Sequence, residues 1–332
     1  MSGVSGTSAA RSRWLTSTAW FGLFRDRPMI PLLALLAMLV GASEIARPGI
    51  VDTEWAGVIF RTSVPLAILA ACQTLTMLTG GIDLSVGAVA SMSGFVVASI
   101  VGTAGLPAAI AVALIAAAIA GLVTGIGVGV FKVHPLIMTL GMSLVVLGLA
   151  DVLQLQTVQT NAGVPTEIRW LGSQAFAQIF PISLLVFVPL AALILVGLRR
   201  TGFGRLLYAI GDNPIAARLS GARSWQILIV LYITSALLAA IAGFIYTGYT
   251  NVASVSLVDS DVLPSVAAAV IGGTSIMGGR GGFGGTIVGV LILTVITSLL
   301  SSLGYPEAVR QVLFGAIIVA VAAAYTRVTS QS

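Results

Sequence analysis

The sequence predicts an all-α fold of membrane-spanning helices. Three observations predict it: a scarcity of charge, apolar segments of bilayer length, and basic residues gathered on alternate connections. Of 332 residues, 58% are hydrophobic and 8% charged, and the mean hydropathy is +1.08. A soluble domain carries roughly a quarter charged residues. A chain this poor in polar groups cannot cover a water-facing surface, so its solvent is lipid. Length alone would allow two soluble domains, but no segment has the composition of one.

Windows of about 19 residues pick out about ten helices, at 28–46, 57–79, 84–102, 106–130, 136–156, 179–198, 225–248, 262–278, 284–304 and 309–326. The segments 84–102 and 262–278 are short and interrupted by Gly, Ser or Pro. The apolar run Met29 to Val40 follows a positive stretch but has no A-x-A cleavage site after it, so it reads as an uncleaved first span. Trp14, Trp20, Phe21 and Phe24 among arginines suggest an interfacial helix, with a disordered tail as the equal alternative. The division that follows is a tail at 1–27, a transmembrane domain at 28–326 containing a polar loop at 199–224, and a tail at 327–332.

Cytoplasmic connections collect Lys and Arg. With the N-terminus inside, ten spans place twelve of the sixteen basic residues on the cytoplasmic side and four on the other. The inner set is Arg11, Arg13, Arg25, Arg27, Lys132, Arg199, Arg200, Arg205, Arg218, Arg223, Arg280 and Arg327. The outer set is Arg47, Arg61, Arg169 and Arg310, several near Glu44, Glu54, Glu167 and Glu307. Both termini are therefore expected in the cytoplasm. The net charge of +5 is clustered at these joints and reads as orientation signal and lipid headgroup contact. No basic stripe suited to nucleic acid exists.

The chemistry available for catalysis is thin. Cys72 and His134 are the only residues of their types, which removes an intrachain disulfide, thiolate metal sites and His clusters. There is no HExxH, no GxSxG and no pair of acids within a span. No catalytic residue, metal or cofactor is expected. A G-x-x-x-x-G-K-[ST] phosphate loop is also missing, so any ATP used by the system binds to another subunit. Asp259 and Asp261, flanking Ser260, suit an N-terminal cap for the segment that follows, near the outer face.

The loop Arg199 to Trp225, RRTGFGRLLYAIGDNPIAARLSGARSW, is unlike a plain connector. Leu206, Leu207, Tyr208, Ile210, Ile215 and Leu219 give it enough apolar surface to fold against something. Pro214 suits the first turn of a helix capped by Asp212 or Asn213, and Gly221 suits a left-handed stop. A short surface helix at Pro214 to Ser220 is the reading, against a solvated loop as the bland one.

Glycine runs mark two further places. Thr79 to Gly87 reads TGGIDLSVG, and Ile271 to Gly285 reads IGGTSIMGGRGGFGG. Irregular backbone at membrane depth survives only where protein or a water-filled cavity satisfies its polar groups. Gly80, Gly81 and Gly87 break the second and third spans there, and Asp83 reads as a cap for the third helix, with Ser85 beside it, rather than as a cargo ligand.

The loop and both glycine runs, in this order, resemble the permeases of bacterial ATP-binding cassette importers, in the ribose, xylose and galactose branch. The resemblance covers Arg61 to Ala324. In that superfamily a coupling helix with an E-A-A-x-x-x-G pattern docks on the ATPase. Ala216, Ala217 and Gly221 fall on its A-A-x-x-x-G positions, while Ile215 replaces the acid. Gly204, Arg205, Tyr208, Gly211, Asn213 and Pro214 match the sugar-permease version of the loop. Gly272, Gly273 and Gly279 match the second glycine run.

The resemblance implies inward transport of a monosaccharide or polyol across the inner membrane by alternating access. It implies separate ATPase subunits, an extracytoplasmic sugar-binding protein and a second permease, either a copy or a paralogue. A sugar needs hydroxyl partners and an aromatic face, for which Gln73, Thr74, Thr76, Gln154, Gln156, Tyr246 and Asn251 are candidates. Packing between helices is the bland role for each of them. An ion-driven secondary transporter shares the broken helices, and permeases for branched-chain amino acids share the architecture.

Overall fold

The computed structural model of the protein describes residues 29–157 and 163–329. The segment containing Trp14 to Phe24, with its suggested interfacial helix, lies outside the described residues. The described chain is almost wholly helical. The first five helices are α1 (Met29–Ala46), α2 (Thr53–Met77), α3 (Val86–Ala104), α4 (Leu106–Gly129) and α5 (Pro135–Thr157). A polar excursion follows, with α6 (Thr166–Ser173) and a two-stranded antiparallel hairpin of β1 (Ala175–Phe176) and β2 (Phe180–Pro181). Next come α7 (Leu184–Arg200), α8 (Gly202–Asp212), α9 (Pro214–Leu219) and α10 (Ser224–Thr250). A 3-10 turn at Asp259–Asp261 leads into α11 (Val262–Ile271), then α12 (Phe283–Ser302) and α13 (Glu307–Thr329).

Local chemistry sets several of these boundaries. Glu44 accepts from the amides of Gly49 at 2.7 Å and Val51 at 3.1 Å, closing the turn after α1. Asp52 caps α2 by accepting from the Trp55 amide at 2.7 Å. Gly105, at φ +76°, separates α3 from α4.

Helices α2, α3 and α10 form the centre, with α4 packed along α10. From Ser63 to Leu78 every side chain of the α2 stretch is buried, as expected of a helix apolar all round. Small residues allow close crossing, the usual device where lipid offers no hydrophobic drive between helices. A Cβ on Gly243 of α10 would fall on the Ala90 carbonyl of α3.

Seven of the described helices are long and apolar enough to cross a membrane, or eight if the pair α7 and α8, bent by 66°, is one span. Two expected spans differ. The segment 179–198 opens with strand β2, and its helix is α7, 17 residues long. The segment 262–278 yields α11, a helix of 10 residues that stops where Gly273 turns to φ +90°. At 1.5 Å per residue it reaches about 15 Å, half of the roughly 30 Å hydrocarbon core. A hydropathy window cannot tell an apolar half-helix and loop from a full span.

Helix α11 runs inward from one end of the bundle. Its C-terminal Gly272 packs on Gly285 and Thr286 in the first turn of α12. Ahead of its N-terminal turn, the amide of Val258 donates to Ser91 Oγ of α3 at 2.9 Å. Asp261 does hold the N-cap position of α11, but its side chain makes no capping bond.

Candidate functional site

The polar loop folds as a compact unit. Thr201 Oγ1 accepts from the Gly204 amide at 3.2 Å, starting α8, which buries Gly204, Leu207 and Ile210. Arg205 stays exposed. Asn213, rather than Asp212, caps α9 by accepting from the amides of Ile215 at 3.1 Å and Ala216 at 2.9 Å, with Pro214 at the first helical position. The helix ends before Gly221, at φ +86°, where an αL residue commonly terminates a helix. Ala217 turns inward, while Ile215 and Leu219 are 63% and 85% exposed. An apolar pair on a six-residue helix thus faces outward from the described chain.

The three sequence motifs meet directly behind this helix. The Gly279 amide donates to the Leu78 carbonyl at 3.0 Å, and the Tyr208 hydroxyl donates to the Gly281 carbonyl at 3.0 Å. A Cβ on Gly211 would fall on the Leu78 carbonyl. One on Gly278 would come 2.9 Å from the Gly80 nitrogen and 3.0 Å from the Gly211 Cα. Backbone therefore lies on backbone where α8 touches the loop after α2 and the loop before α12. Gly81 joins from the side, near Pro135 and the Tyr232 hydroxyl.

The first glycine run continues into a buried polar knot. Asp83 Oδ1 accepts from the Ser85 hydroxyl at 2.6 Å and amide at 3.0 Å, and Oδ2 accepts from the Ser235 hydroxyl of α10 at 2.8 Å. Ser85, not Asp83, is the N-cap residue of α3. Gln73 clasps the same loop, its Nε2 donating to the Asp83 carbonyl at 2.8 Å and its Oε1 accepting from the Asp83 amide at 3.3 Å. Gly87 packs against Val262 at the start of α11. The knot thus ties α2, α3 and α10 together.

On the far side of α11 from the glycine junction lies a cavity of about 480 Å³ between α2, α10, α11, α12 and α13. Leu66, Pro264 and Leu293 line its apolar part. Its polar lining includes Thr62, Tyr246, Asp261, Thr297, Ser298 and Arg310. The Tyr246 hydroxyl faces the Asp261 carboxylate. Arg310 donates to Ser301 Oγ at 2.9 Å and pairs with Glu307. Trp55 donates to Ser298 Oγ at 2.8 Å across the outer rim.

The cargo candidates taken from sequence separate accordingly. Tyr246 lines the cavity. Gln73 is engaged with Asp83, and Thr76 donates back to the Cys72 carbonyl at 3.0 Å. Gln154 and Gln156 lie on the exposed face of α5, and Asn251 is the exposed left-handed residue ending α10. Reading spans one at a time missed Thr297, Ser298, Glu307 and Arg310. Their only signal was a Ser/Thr-rich end of α12 followed by a charged pair three residues apart, which reads equally well as a membrane boundary.

A bundle of apolar helices that includes a half-length helix, encloses a polar cavity and carries a short helix with exposed apolar side chains defines the class of multi-pass membrane permeases. The chain belongs to the branched-chain amino acid transport system / permease component family, whose model matches residues 56–322. It is similar to the ribose import permease RbsC of Escherichia coli K12, at 33% identity over 94% of this chain and 96% of that one. It is also similar to the fructose import permease FrcC of Rhizobium meliloti, at 32% identity over 87% and 82% of the two chains. The ribose import permease RbsC of Bacillus subtilis shares 36% identity over 76% and 78%. No solved structure matches the chain significantly.

Proposed function

We propose that this chain is the membrane-spanning subunit of an ATP-binding cassette importer that carries a monosaccharide or related polyol inward. The observation carrying the reading is the junction at Leu78, Gly211 and Gly279. It links the exposed apolar helix α9 to the loop before α3 and the loop between α11 and α12, the connections that follow two of the cavity-lining helices, α2 and α11. An ATPase seated on Ile215 and Leu219 would push on this junction through α8. The relatives named for ribose and fructose import support the sugar class.

In this reading α9 faces the cytoplasm, in keeping with the twelve-to-four division of basic residues. Coupling falls to Gly204, Arg205, Tyr208, Gly211, Asn213, Pro214, Ala216, Ala217 and Gly221. The signature residues Gly80, Gly81, Asp83, Ser85, Gly87, Gly272, Gly273 and Gly279 hold the broken helices. The chain performs no bond chemistry; its partners stabilise one of two states over the other. Those partners are ATPase subunits, an extracytoplasmic sugar-binding protein and a second permease within bacterial inner-membrane lipid.

The test is uptake of labelled D-ribose and D-fructose into liposomes holding this chain together with an ATP-binding cassette ATPase and a sugar-binding protein from the same organism. Uptake that requires ATP is the expected result. Uptake by the chain alone on an ion gradient overturns the reading in favour of a secondary transporter. ATP-driven uptake of L-leucine and neither sugar overturns the cargo class.

A further inference from the structure

We infer that the cavity between α2, α10, α11, α12 and α13 is a binding site, built within one copy of the chain, for a neutral polyhydroxylated ligand, with Asp261 as its chief acceptor. The inference deepens the importer reading by giving the cargo a place and a chemistry. At about 480 Å³ the cavity falls within the roughly 300–1,000 Å³ of small-molecule sites.

The direction of its hydrogen bonds carries the assignment. Thr62, Thr250 and Thr294 line the cavity, yet each spends its hydroxyl proton on a backbone carbonyl of its own helix, at 3.0, 2.9 and 2.9 Å. What these hydroxyls retain for a ligand is acceptor lone pairs. Ser298 and Ser301 accept from Trp55 and Arg310, respectively, and each hydroxyl carries a second lone pair as well as its own proton. Asp261 adds a carboxylate, which faces the Tyr246 hydroxyl. The wall is therefore rich in acceptors and calls for a ligand rich in O–H donors.

Charge narrows the class further. Arg310 is the one base in the lining, and Glu307 neutralises it. Asp261 then leaves the site with a negative excess, which repels phosphorylated or carboxylated ligands. The Nε of Arg310 is buried without a partner among the described residues, so one donor remains for a ligand oxygen. A sugar hydroxyl both donates and accepts, and the rings of Tyr246 and Phe314 suit the apolar face of a sugar ring.

Site-directed labelling tests this without ATP or partners. Cys72, the single native cysteine, is buried, so the unmodified chain in membrane vesicles supplies the blank. Thr297→Cys is expected to react with a membrane-impermeant methanethiosulfonate reagent. Millimolar D-ribose or D-fructose is expected to slow that reaction, whereas D-ribose 5-phosphate and L-leucine are expected to leave it unchanged. Adding Asp261→Asn is expected to raise the protecting sugar concentration about tenfold, the loss of one charge-assisted hydrogen bond. Ser301→Cys serves as a second reporter if Thr297→Cys misfolds. Absence of labelling at both positions overturns the open cavity. Labelling indifferent to both sugars, or slowed equally by L-leucine or the sugar phosphate, overturns the polyol assignment. Unchanged protection after Asp261→Asn overturns the role of that carboxylate. Because no ATP enters this experiment, its failure is distinct from a failure of ATP-driven uptake.

Discussion

The Gly279 amide donates to the Leu78 carbonyl across 3.0 Å, and Gly211 lies against both atoms of that bond. No side chain cushions the contact, so a displacement of α8 meets backbone on either side. Soft, rotamer-rich side chains would absorb a push; close-packed backbone transmits it. This bond joins the end of α2 to the loop that follows half-helix α11, and the same two helices line the polar cavity through Thr62, Leu66 and Pro264.

Gly211→Ala is the sharpest probe of that joint. Its Cβ would fall on the Leu78 carbonyl, and neither backbone can yield without moving α8. Overpacking of this kind costs about 1–3 kcal/mol. The expected outcome is a lowered thermal midpoint in detergent together with loss of ATP-coupled uptake. Unchanged uptake by Gly211→Ala would show that the joint does not carry the stroke.

The exposed helix separates docking from folding. A Cβ on Gly221 has nothing within 4 Å, but its φ of +86° makes Gly221→Asp a backbone lesion of about 1 kcal/mol. Leu219, 85% exposed, has no such constraint. Leu219→Asp is expected to leave the thermal midpoint in place while weakening capture of the ATPase at least about tenfold, as for a buried interface residue. Binding of purified ATPase to immobilised chain measures this, and undiminished capture removes α9 from the interface.

Much of this was legible in the sequence, for identifiable reasons. Helix α9 could be bounded to within a residue or so because Asn213, Pro214 and Gly221 act locally, each through its own backbone chemistry. The long spans were legible because lipid demands runs of apolar residues. Half-helix α11 was not, since an apolar loop and an apolar helix have the same hydropathy. The cavity was not either. Asp261 and Tyr246 sit on one stretch of chain while Thr297 and Arg310 sit on another, and only packing brings the two together. Gln73 misled for the converse reason. A polar residue in a span signals a partner, and here that partner is the backbone of Asp83.

The Asp83 knot yields a stability prediction. Asp83→Ala leaves the hydroxyls of Ser85 and Ser235 without the acceptor they share, and each stranded buried group costs about 1–3 kcal/mol. Asp83→Asn keeps one carbonyl oxygen for Ser85, and the Ser235 hydroxyl can rotate to accept from the new amide. The expected order of thermal midpoints is wild type, then Asp83→Asn, then Asp83→Ala. An alanine variant as stable as wild type would mean that water already satisfies those serines.

The pair Arg310 and Glu307 distinguishes charge balance from cargo contact. Arg310→Gln leaves Asp261 and Glu307 as uncompensated carboxylates on one cavity wall, so both stability and sugar protection should fall. Glu307→Gln in the same chain removes that mutual repulsion, and the double variant should recover stability toward wild type. The Glu307 side chain is 51% exposed, so solvent screens the pair and the coupling expected from the cycle is about 0.5–1 kcal/mol. Sugar protection should not recover with it, because the Arg310 Nε that stands free for a ligand oxygen is still missing. Recovery of both properties together would make Arg310 a positioning residue for the wall alone, and the donor side of the site would then rest on Tyr246.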